Sequence, residues 1–422
     1  MSLLTADIYS CSPKRIFDYV KGESLAFWCV CAYLFFEYVR PQSIYTWIDF
    51  FPWAAFLLVA SFCFSFTEKA KVQPNPVSKI MGGYGVVVIF STVFAVWPRL
   101  AFDNLDAFFQ WLLVFFVIVR IINTRERFFI FLLLYLLCNF KMSQHGFLSW
   151  MLRGFSFANW GVAGAPGWFS NSGELGIQMT IFTPLAVAFV AGLKDKWGKG
   201  KKIFFYLMPF TGVGTIVASS SRGAMLGLLG SMLWRLKSSK YFIKAIIIMS
   251  LLVCVVYMVT PVEFKERLMA SGEDNTSMHR LDRWEAGWAT ALKYPFWGVG
   301  HKNWDQYFRQ YLDFGVRGSA KIHNIFMESL TEHGFIGFFT FILLVFYMLV
   351  LNKRSRAIAN KRGLPFELSV SYGLDAGLIG MLVSSSFVTV LYYPYVWVHA
   401  AFVVSLYNSL SSKACYEGKV AL

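Results

Sequence analysis

Residues 335–351 read FIGFFTFILLVFYMLVL and lie in the longest apolar run of the chain, 323–351, which NKRSR follows directly at 352–356. An α-helix rises about 1.5 Å per residue, so about 20 apolar residues cross the hydrocarbon core of a bilayer. The run is therefore long enough for a crossing, and the basic cluster is typical of a helix end in water on the cytoplasmic side. This stretch predicts a membrane-embedded helical chain.

The rest of the chain repeats the same pattern. It is 57% hydrophobic and only 15% charged over 422 residues, less charge than a soluble domain of this length carries. We therefore predict an all-α polytopic membrane protein with about twelve transmembrane helices. Apolar runs fall at about 24–40, 46–66, 78–97, 104–122, 127–142, 174–192, 203–219, 222–236, 241–260, 323–351, 368–390 and 394–411.

The distribution of basic residues orients these helices. With a cytoplasmic N-terminus, twenty-five Lys and Arg fall in inner segments, nine in one long outer loop at 261–322, and five in short outer segments. This is the positive-inside pattern, which accounts for the net charge of +15 without a nucleic-acid partner. We expect helices 1–9 in residues 1–260, the outer loop at 261–322, and helices 10–12 with a cytoplasmic tail in 323–422. The five short-segment residues are Arg40, Arg99, Lys141, Arg153 and Arg222.

The long outer loop has two amphipathic patterns. One predicts a helix at about 279–293 with Leu281, Trp284, Trp288 and Leu292 on one face, ended by the Tyr294-Pro295 step. The other predicts a helix at about 303–312 that groups several aromatic residues. Such helices lie on a membrane surface or cap a cavity.

Basic residues at the outer ends of helices are the first candidates for a site. Arg222 lies in SSSRG (219–223), where it could be an interfacial arginine that reaches to the headgroups, or could bind an anion bidentately. Arg280 and Arg283 lie in HRLDRW (279–284). A solvated helix face could explain both arginines, and it explains Arg283 better.

Titratable residues begin two of the helices. His323 begins the longest apolar run, where it could be only a helix cap or an interfacial polar group. Its imidazole nevertheless has the pKa range for proton transfer near neutral pH. Glu328, Glu332 and His333 follow in the same helix, where they could orient His323 or bond neighbouring helices. Glu174 is either a helix-start carboxylate or a group that orients an arginine.

Two kinds of motif are missing from the sequence. There is no Gly-x-x-x-x-Gly-Lys-Ser/Thr loop, which argues against a nucleotide-driven pump. No paired His or Cys spacing indicates a metal site. We therefore expect no metal and no cofactor.

Several motifs, in their order along residues 170–350, resemble the O-antigen ligase/polymerase superfamily of bacterial envelope glycosyltransferases. Three further features are similar to its exosortase-associated O-glycosylation ligases: DNTS (274–277), YVRPQ (38–42) and the Glu-His-Gly sequence. That subgroup tends to have His-Ser where this chain has His323-Asn324. The superfamily motifs are SRGA (221–224), RLDRW (280–284), YPFWGVG (294–300), HN (323–324) and EHGFIG (332–337).

The resemblance implies a GT-C-like, metal-independent and inverting glycosyltransferase in the bacterial inner membrane, with its active site on the periplasmic face. Its donor would be a glycan on undecaprenyl pyrophosphate. Its acceptor would be a hydroxyl of a saccharide, a lipid core or a protein, and the protein would also contact membrane lipids. His323, Arg280 and Arg222 would be catalytic. The substrate-binding residues would be Arg283, Arg153, Glu174, Trp284 and His279.

Two alternatives stay open at this point. A repeat-unit polymerase of the same superfamily would use a second lipid-linked glycan as acceptor. A secondary transporter or lipid-linked glycan flippase would show internal repeats and polar groups at the bilayer midplane. The polar residues here concentrate at one face, which favours a one-sided site over alternating access.

Overall fold

The computed structural model describes residues 8–69, 72–156, 161–236, 275–312 and 320–411. Within these ranges the chain forms helices, turns and loops, and no strand. The predicted apolar run at 241–260 and the residues of the outer loop before 275 lie outside the described ranges. The all-α prediction is confirmed for the described part of the chain.

The helices are numbered here in chain order. The N-terminal part has α1 (Pro13–Lys21), α2 (Leu25–Tyr38), α3 (Pro41–Ile44), α4 (Trp53–Ser65), α5 (Pro76–Val93), α6 (Pro98–Asp103), α7 (Asp106–Ile121) and α8 (Arg125–Leu152). The remainder has α9 (Ser172–Leu193), α10 (Lys199–Ala218), α11 (Arg222–Leu236), α12 (Asn275–Lys293), α13 (Trp304–Tyr311), α14 (Ile325–Lys361), α15 (Pro365–Ser385) and α16 (Pro394–Ser411).

Among the residues that the structure describes, six helical segments are long and apolar enough to cross a membrane by length and composition. They are α5, α6 with α7, α8, α9 with the short turn after it, α14 and α15. This agrees with a polytopic membrane protein, while the number of twelve crossings stays a prediction. Of the most apolar 18-residue stretch of each helix, 78% is buried in α9 and 33% in α14. Helix α9 therefore lies inside the bundle, whereas α14 exposes most of its apolar stretch.

Two predicted boundaries are corrected. The run at 46–66 is broken, because a 3-10 turn at Thr46–Ile48 precedes Pro52, and α4 begins only at Trp53. The helix predicted to end near 142 continues to Leu152. Its polar residues do not end it, since the Ser143 hydroxyl lies 2.8 Å from the Thr211 hydroxyl of α10.

The helix ends are sorted into two layers. In one layer, which we call the basic end, Arg125 at the start of α8 pairs with Glu367 at the start of α15 at 2.5 Å. The Tyr9 hydroxyl donates to the same carboxylate at 2.9 Å, and Lys201 donates to the Ser10 carbonyl at 2.9 Å. The segment before α1 and the starts of α8, α10 and α15 therefore meet at one end of the bundle.

The opposite layer, which we call the loop end, collects the connections predicted to face outward. The Val162 amide donates to the Ala218 carbonyl at 3.0 Å, and the Val96 amide donates to the Val299 carbonyl at 2.9 Å. The loops after α5 and α12 thus pack against each other, and the loop after α8 packs against the end of α10. This alternation of helix ends is the one that the basic residues predict.

Small residues let the central helices approach closely. A Cβ on Gly227 of α11 would lie 1.9 Å from the Ser384 hydroxyl and 2.4 Å from the Gly380 carbonyl oxygen of α15. A Cβ on Gly373 of α15 would lie 2.5 Å from the Ala188 Cβ of α9. Close packing of small residues is the usual basis of helix association in membranes. This close packing holds α9, α11 and α15 together next to the loop end.

Candidate active site

His323 lies at the loop end, one residue before the N-cap of α14. Its backbone adopts φ +53°, a left-handed conformation, and its amide donates to the Thr389 hydroxyl at 2.8 Å. Asn324 then caps α14, because its side-chain oxygen accepts from the amides of Phe326 (2.9 Å) and Met327 (3.2 Å). The imidazole therefore projects from a backbone that is held on both sides.

Helix α12 brings two arginines to His323. The Trp284 indole donates to the Ile322 carbonyl at 3.0 Å, which attaches α12 to the residue before the histidine. Arg280 and Arg283 then lie close enough for both guanidinium charges to act on the imidazole. Three of the predicted site residues and Trp284 are thus brought together.

The expectation that Arg283 is the more solvated arginine is wrong. Arg283 is 6% exposed, whereas Arg280 is only partly buried. Burial lowers the pKa of the Arg283 guanidinium, and the negative charges of Asp282 and Asp305 oppose that shift. Arg283 faces the protein because α12 turns its apolar face, on the opposite side of the helix, away from the protein.

That apolar face points away from the protein. Met278, Leu281, Trp288 and Leu292 are between 47% and 60% exposed. Trp288 meets Phe335 of α14 with 6.0 Å between ring centroids, next to the exposed apolar side of that helix. Exposed apolar side chains of this kind are typical of an amphipathic helix on a membrane surface, although the exposed Glu285 lies among them and Trp284 of the predicted face packs inward. The interpretation of α12 as a helix on the membrane surface is consistent with this packing.

The cations around His323 set its protonation state. Burial is the largest cause that lowers its pKa, to about 4, and the charges of Arg280, Arg283 and Lys321 act in the same direction. A pKa of about 4 leaves the imidazole neutral at pH 7, so that it can accept a proton. The same three cations create a field that attracts an anion.

Arg222 begins α11 on the neighbouring side of the loop end. The Ser221 hydroxyl accepts from the Ala224 amide at 3.3 Å and so caps the helix. A Cβ on Gly223 would lie 3.0 Å from the Phe387 ring, which places the start of α11 against the loop Ser386–Tyr393. Thr389, which holds His323, belongs to that same loop.

Glu174 also borders this loop. It completes a capping box with Asn171, accepting from the Asn171 amide at 3.2 Å. Its other oxygen accepts from the Tyr393 hydroxyl at 2.7 Å. One carboxylate oxygen of Glu174 thus caps the start of α9, and the other joins that start to the loop.

Arg153 and His279 occupy more open positions. Arg153 is exposed and ends α8, its amide donating to the Trp150 carbonyl at 3.1 Å. His279 is exposed on α12, and its Nδ1 lies 4.0 Å from an oxygen of Asp282 one turn along the same helix. Neither is held by the contacts that join α12 to His323.

The acidic residues of α14 bond loops rather than His323. Glu328 accepts from the Leu391 amide at 2.9 Å, and Glu332 accepts from the Lys302 amide at 3.0 Å. Glu332 also accepts from the Tyr392 hydroxyl. Of the two roles that the sequence left open, the structure therefore favours the one in which these carboxylates join neighbouring elements.

Two of the sequence motifs interlock beneath the site. Gly334 interrupts α14 with φ +65°, ψ −168°, so that the carbonyls of Thr331 and Glu332 are free of the helical pattern. They accept from the amides of Val299 (2.8 Å) and Gly300 (3.2 Å). The Pro-x-x-Gly-x-Gly segment is thus docked on the open turn that Glu-His-Gly makes.

Sequence reasoning missed the loop Ser386–Tyr393. It touches the starts of α9, α11 and α14 through Tyr393, Phe387 and Thr389 respectively. Its Tyr-Tyr-Pro sequence at 392–394 was a signal for a turn rich in hydroxyls. The partners of those hydroxyls lie more than 50 residues away in the chain, and a local pattern does not identify them.

The comparisons with known proteins bear on this arrangement. The model of the O-antigen ligase family matches residues 207–342, a range that includes Arg222, Arg280 and His323. No curated protein matches the chain. The matched range carries several of the motifs on which the resemblance rests, so this match supports the similarity of the chain to the O-antigen ligase-like superfamily.

Proposed function

We propose that this protein transfers a glycan from undecaprenyl pyrophosphate to an acceptor hydroxyl at the periplasmic face of the inner membrane. The observation that carries the proposal is the grouping of Arg280, Arg283 and a neutral His323 where α12 meets the start of α14. A cationic pocket beside a neutral imidazole suits a reaction that removes a proton from a hydroxyl and releases an anion.

In this mechanism the acceptor oxygen attacks the anomeric carbon from the face opposite the pyrophosphate. The bond from that carbon to the pyrophosphate oxygen breaks, and its electron pair leaves with the lipid pyrophosphate. His323 takes the proton of the acceptor hydroxyl. Arg280 and Arg222 stabilise the charge that develops on the leaving group, with no metal taking part. Arg283 would add a buried positive charge, while Glu174 would hold the start of α9 in place.

The decisive experiment is transfer by the purified full-length protein in detergent from a lipid-pyrophosphate glycan. The acceptors to compare are a saccharide, a lipid core, a protein and a second lipid-linked glycan. Transfer only to the last would identify a polymerase. Absence of transfer to every acceptor, with ATP-independent movement of the donor across vesicles instead, would refute the transferase and support a flippase.

Substitutions in the same assay test the residues. Arg280→Lys and Arg222→Lys keep the charge but lose the bidentate geometry, so transfer should fall strongly. His323→Ala should remove roughly two to four orders of magnitude of rate. Arg309→Lys, at an exposed position on α13, is the matched control and should transfer normally. Full activity of His323→Ala would refute the base role.

Brief chelation tests the absence of a catalytic metal. Transfer should survive EDTA, because arginines rather than a divalent ion stabilise the leaving group in this proposal. Loss of transfer that magnesium or manganese restores would contradict the arginine mechanism.

A further inference from the structure

A second cluster of titratable side chains lies beneath the loop end, separate from the Arg280–His323 grouping. One ligand atom from each of His301, Glu332 and His333 lies within 4.8 Å of the others, and all three residues are buried. Both histidines are 0% exposed. In the proposed function neither histidine has a part.

The spacing of the imidazole nitrogens fits a shared ion. His301 Nδ1 and His333 Nε2 are 3.4 Å apart. Two nitrogens at about 2.0–2.1 Å from a tetrahedral zinc are separated by about 3.4 Å. The Tyr392 hydroxyl lies 3.2 Å from His333 Nε2 and borders the same space.

The far nitrogen of each ring is held by an outer partner. His301 Nε2 lies 2.9 Å from the Asn104 carbonyl oxygen, which can only accept, so this nitrogen carries the proton and Nδ1 carries a lone pair. His333 Nδ1 lies 2.9 Å from the Tyr84 hydroxyl, which itself lies 3.2 Å from the Ser329 hydroxyl. Metal-bound histidines are usually held in this way, by a carbonyl or another polar group on the outer nitrogen.

We propose that His301, His333 and Glu332 bind one divalent transition-metal ion, zinc, with the fourth position open to the Tyr392 oxygen or to water. Two imidazoles and a carboxylate are a ligand set that zinc prefers over magnesium or calcium. The negative charge of Glu332 offsets part of the charge of a buried cation. The spacing in the sequence showed nothing of this site because His301 and His333 lie on different elements.

The ion would join three elements that carry the proposed active site. His301 belongs to the connection between α12 and α13, Glu332 and His333 belong to α14, and Tyr392 belongs to the loop that holds His323 through Thr389. The zinc is therefore structural, and the inference goes beyond the transferase activity without depending on it. It would hold α12 and the loop Ser386–Tyr393 in register with α14.

Metal binding by the full-length protein, purified in detergent without a polyhistidine tag, tests the proposal. After prolonged dialysis against a strong chelator, the protein should take up cobalt in equimolar amount and show the visible absorption of four-coordinate cobalt. Zinc should displace the cobalt and raise the melting temperature. X-ray absorption at the zinc edge should show only nitrogen and oxygen neighbours.

Substitutions locate the ion. His301→Asn and His333→Asn should each abolish the cobalt spectrum, while His145→Asn, at an exposed position on α8, should leave it unchanged. Tyr84→Phe keeps the ring but loses the outer hydrogen bond, so zinc affinity should fall roughly 10- to 100-fold. This variant decides the matter if the histidine variants do not fold.

Wild-type protein that takes up no cobalt or zinc beyond the level of His301→Asn would overturn the proposal. So would a zinc affinity that Tyr84→Phe leaves unchanged. The histidines would then form only a hydrogen-bonded chain from Asn104 to Ser329. Because none of these measurements uses glycan transfer, they can fail while the transferase proposal stands, and the reverse also holds.

Discussion

At the scale of single residues, His323 is the point on which the proposed chemistry depends. Its amide is held by Thr389, and its imidazole lies in the field of Arg280, Arg283 and Lys321. The imidazole is neutral, and it is a weak base as long as no anion offsets the positive charges of these three side chains. An anionic donor would compensate them, so donor binding should strengthen the base.

This coupling predicts a pH dependence. In the free protein the pKa of His323 is lowered to about 4, and a bound pyrophosphate should raise it by opposing the arginine charges. Because kcat/KM reports the free protein and kcat the complex, the acid limb of kcat should lie at higher pH than that of kcat/KM. The pH profiles of transfer measure both limbs.

Arginine variants provide the control for this prediction. Arg280→Gln removes a positive charge near His323, so the acid limb of kcat/KM should move to higher pH. Arg309→Gln, exposed on α13, should not move it. Acid limbs that coincide in the wild type, together with no movement in Arg280→Gln, would show that these charges do not control His323.

At the scale of elements, α14 is two helical pieces joined at Gly334. The interruption opens one turn, and the segment from Pro295 to Gly300 occupies it by donating to Thr331 and Glu332 and by accepting from the Phe335 amide at 2.8 Å. The same turn presents His333 to His301 and places Glu332 beneath Lys302. The geometry of the loop end depends on this junction.

Substitution of Gly334 by Ala should therefore be strongly destabilising. An added Cβ would lie 2.5 Å from the Phe296 carbonyl oxygen at φ +65°. With φ +65° and ψ −168° the backbone lies in a region that is essentially restricted to glycine, which costs an L-residue roughly 1–3 kcal/mol, and overpacking adds about 1–3 kcal/mol. Thermal unfolding in detergent measures the effect.

Gly363→Ala is a control for a positive φ without a close neighbour. Gly363 has φ +64°, yet nothing lies within 4 Å of its Cβ position. This variant should show the cost of a positive φ but none of the overpacking. Equal melting temperatures of the two variants would mean that the segment from Pro295 to Gly300 moves aside with no loss of stability. That result would contradict the tight packing described at Gly334.

At the scale of the whole molecule, the bundle has a basic end and a loop end. Charged residues at the basic end are paired between helices, for instance Arg127 of α8 with Glu23 at 2.7 Å and Glu68 at 2.8 Å. The loop end carries the aromatic connections and the grouping of Arg280 with His323. The proposed site therefore lies at one end of the bundle, opposite the end with the paired charges.

The orientation of the two ends in the cell is the corresponding prediction. In a background without native cysteines, Lys199→Cys and Lys353→Cys at the basic end should be protected from an impermeant maleimide in intact spheroplasts. Gln310→Cys and Gln306→Cys at the loop end should be labelled. All four positions are exposed, so burial does not explain protection.

Permeabilised spheroplasts are the control, because all four cysteines should then react. Labelling of the basic-end positions in intact spheroplasts would reverse the orientation that the positive-inside rule predicts. The proposed site would then face the cytoplasm, away from a periplasmic acceptor.

The sequence alone determined the class of the molecule and most of its helices. Hydropathy and basic residues are local properties that decide which segments partition into lipid, so α2, α9 and α16 fall where the apolar runs are. The prediction failed where a local pattern was ambiguous, as in the run that Pro52 breaks before α4. The family resemblance also depended on sequence, since the motifs keep their order along the chain.

Only the tertiary structure decided which residues meet. Arg283 is buried because α12 turns its apolar face away from the protein, and hydropathy does not distinguish an outward-facing apolar side from a core-facing one. His301 meets His333 only because the glycines at 298 and 334 let a loop enter an open helical turn. Contacts between distant residues depend on the packing of whole elements, and no local pattern in the sequence encodes them.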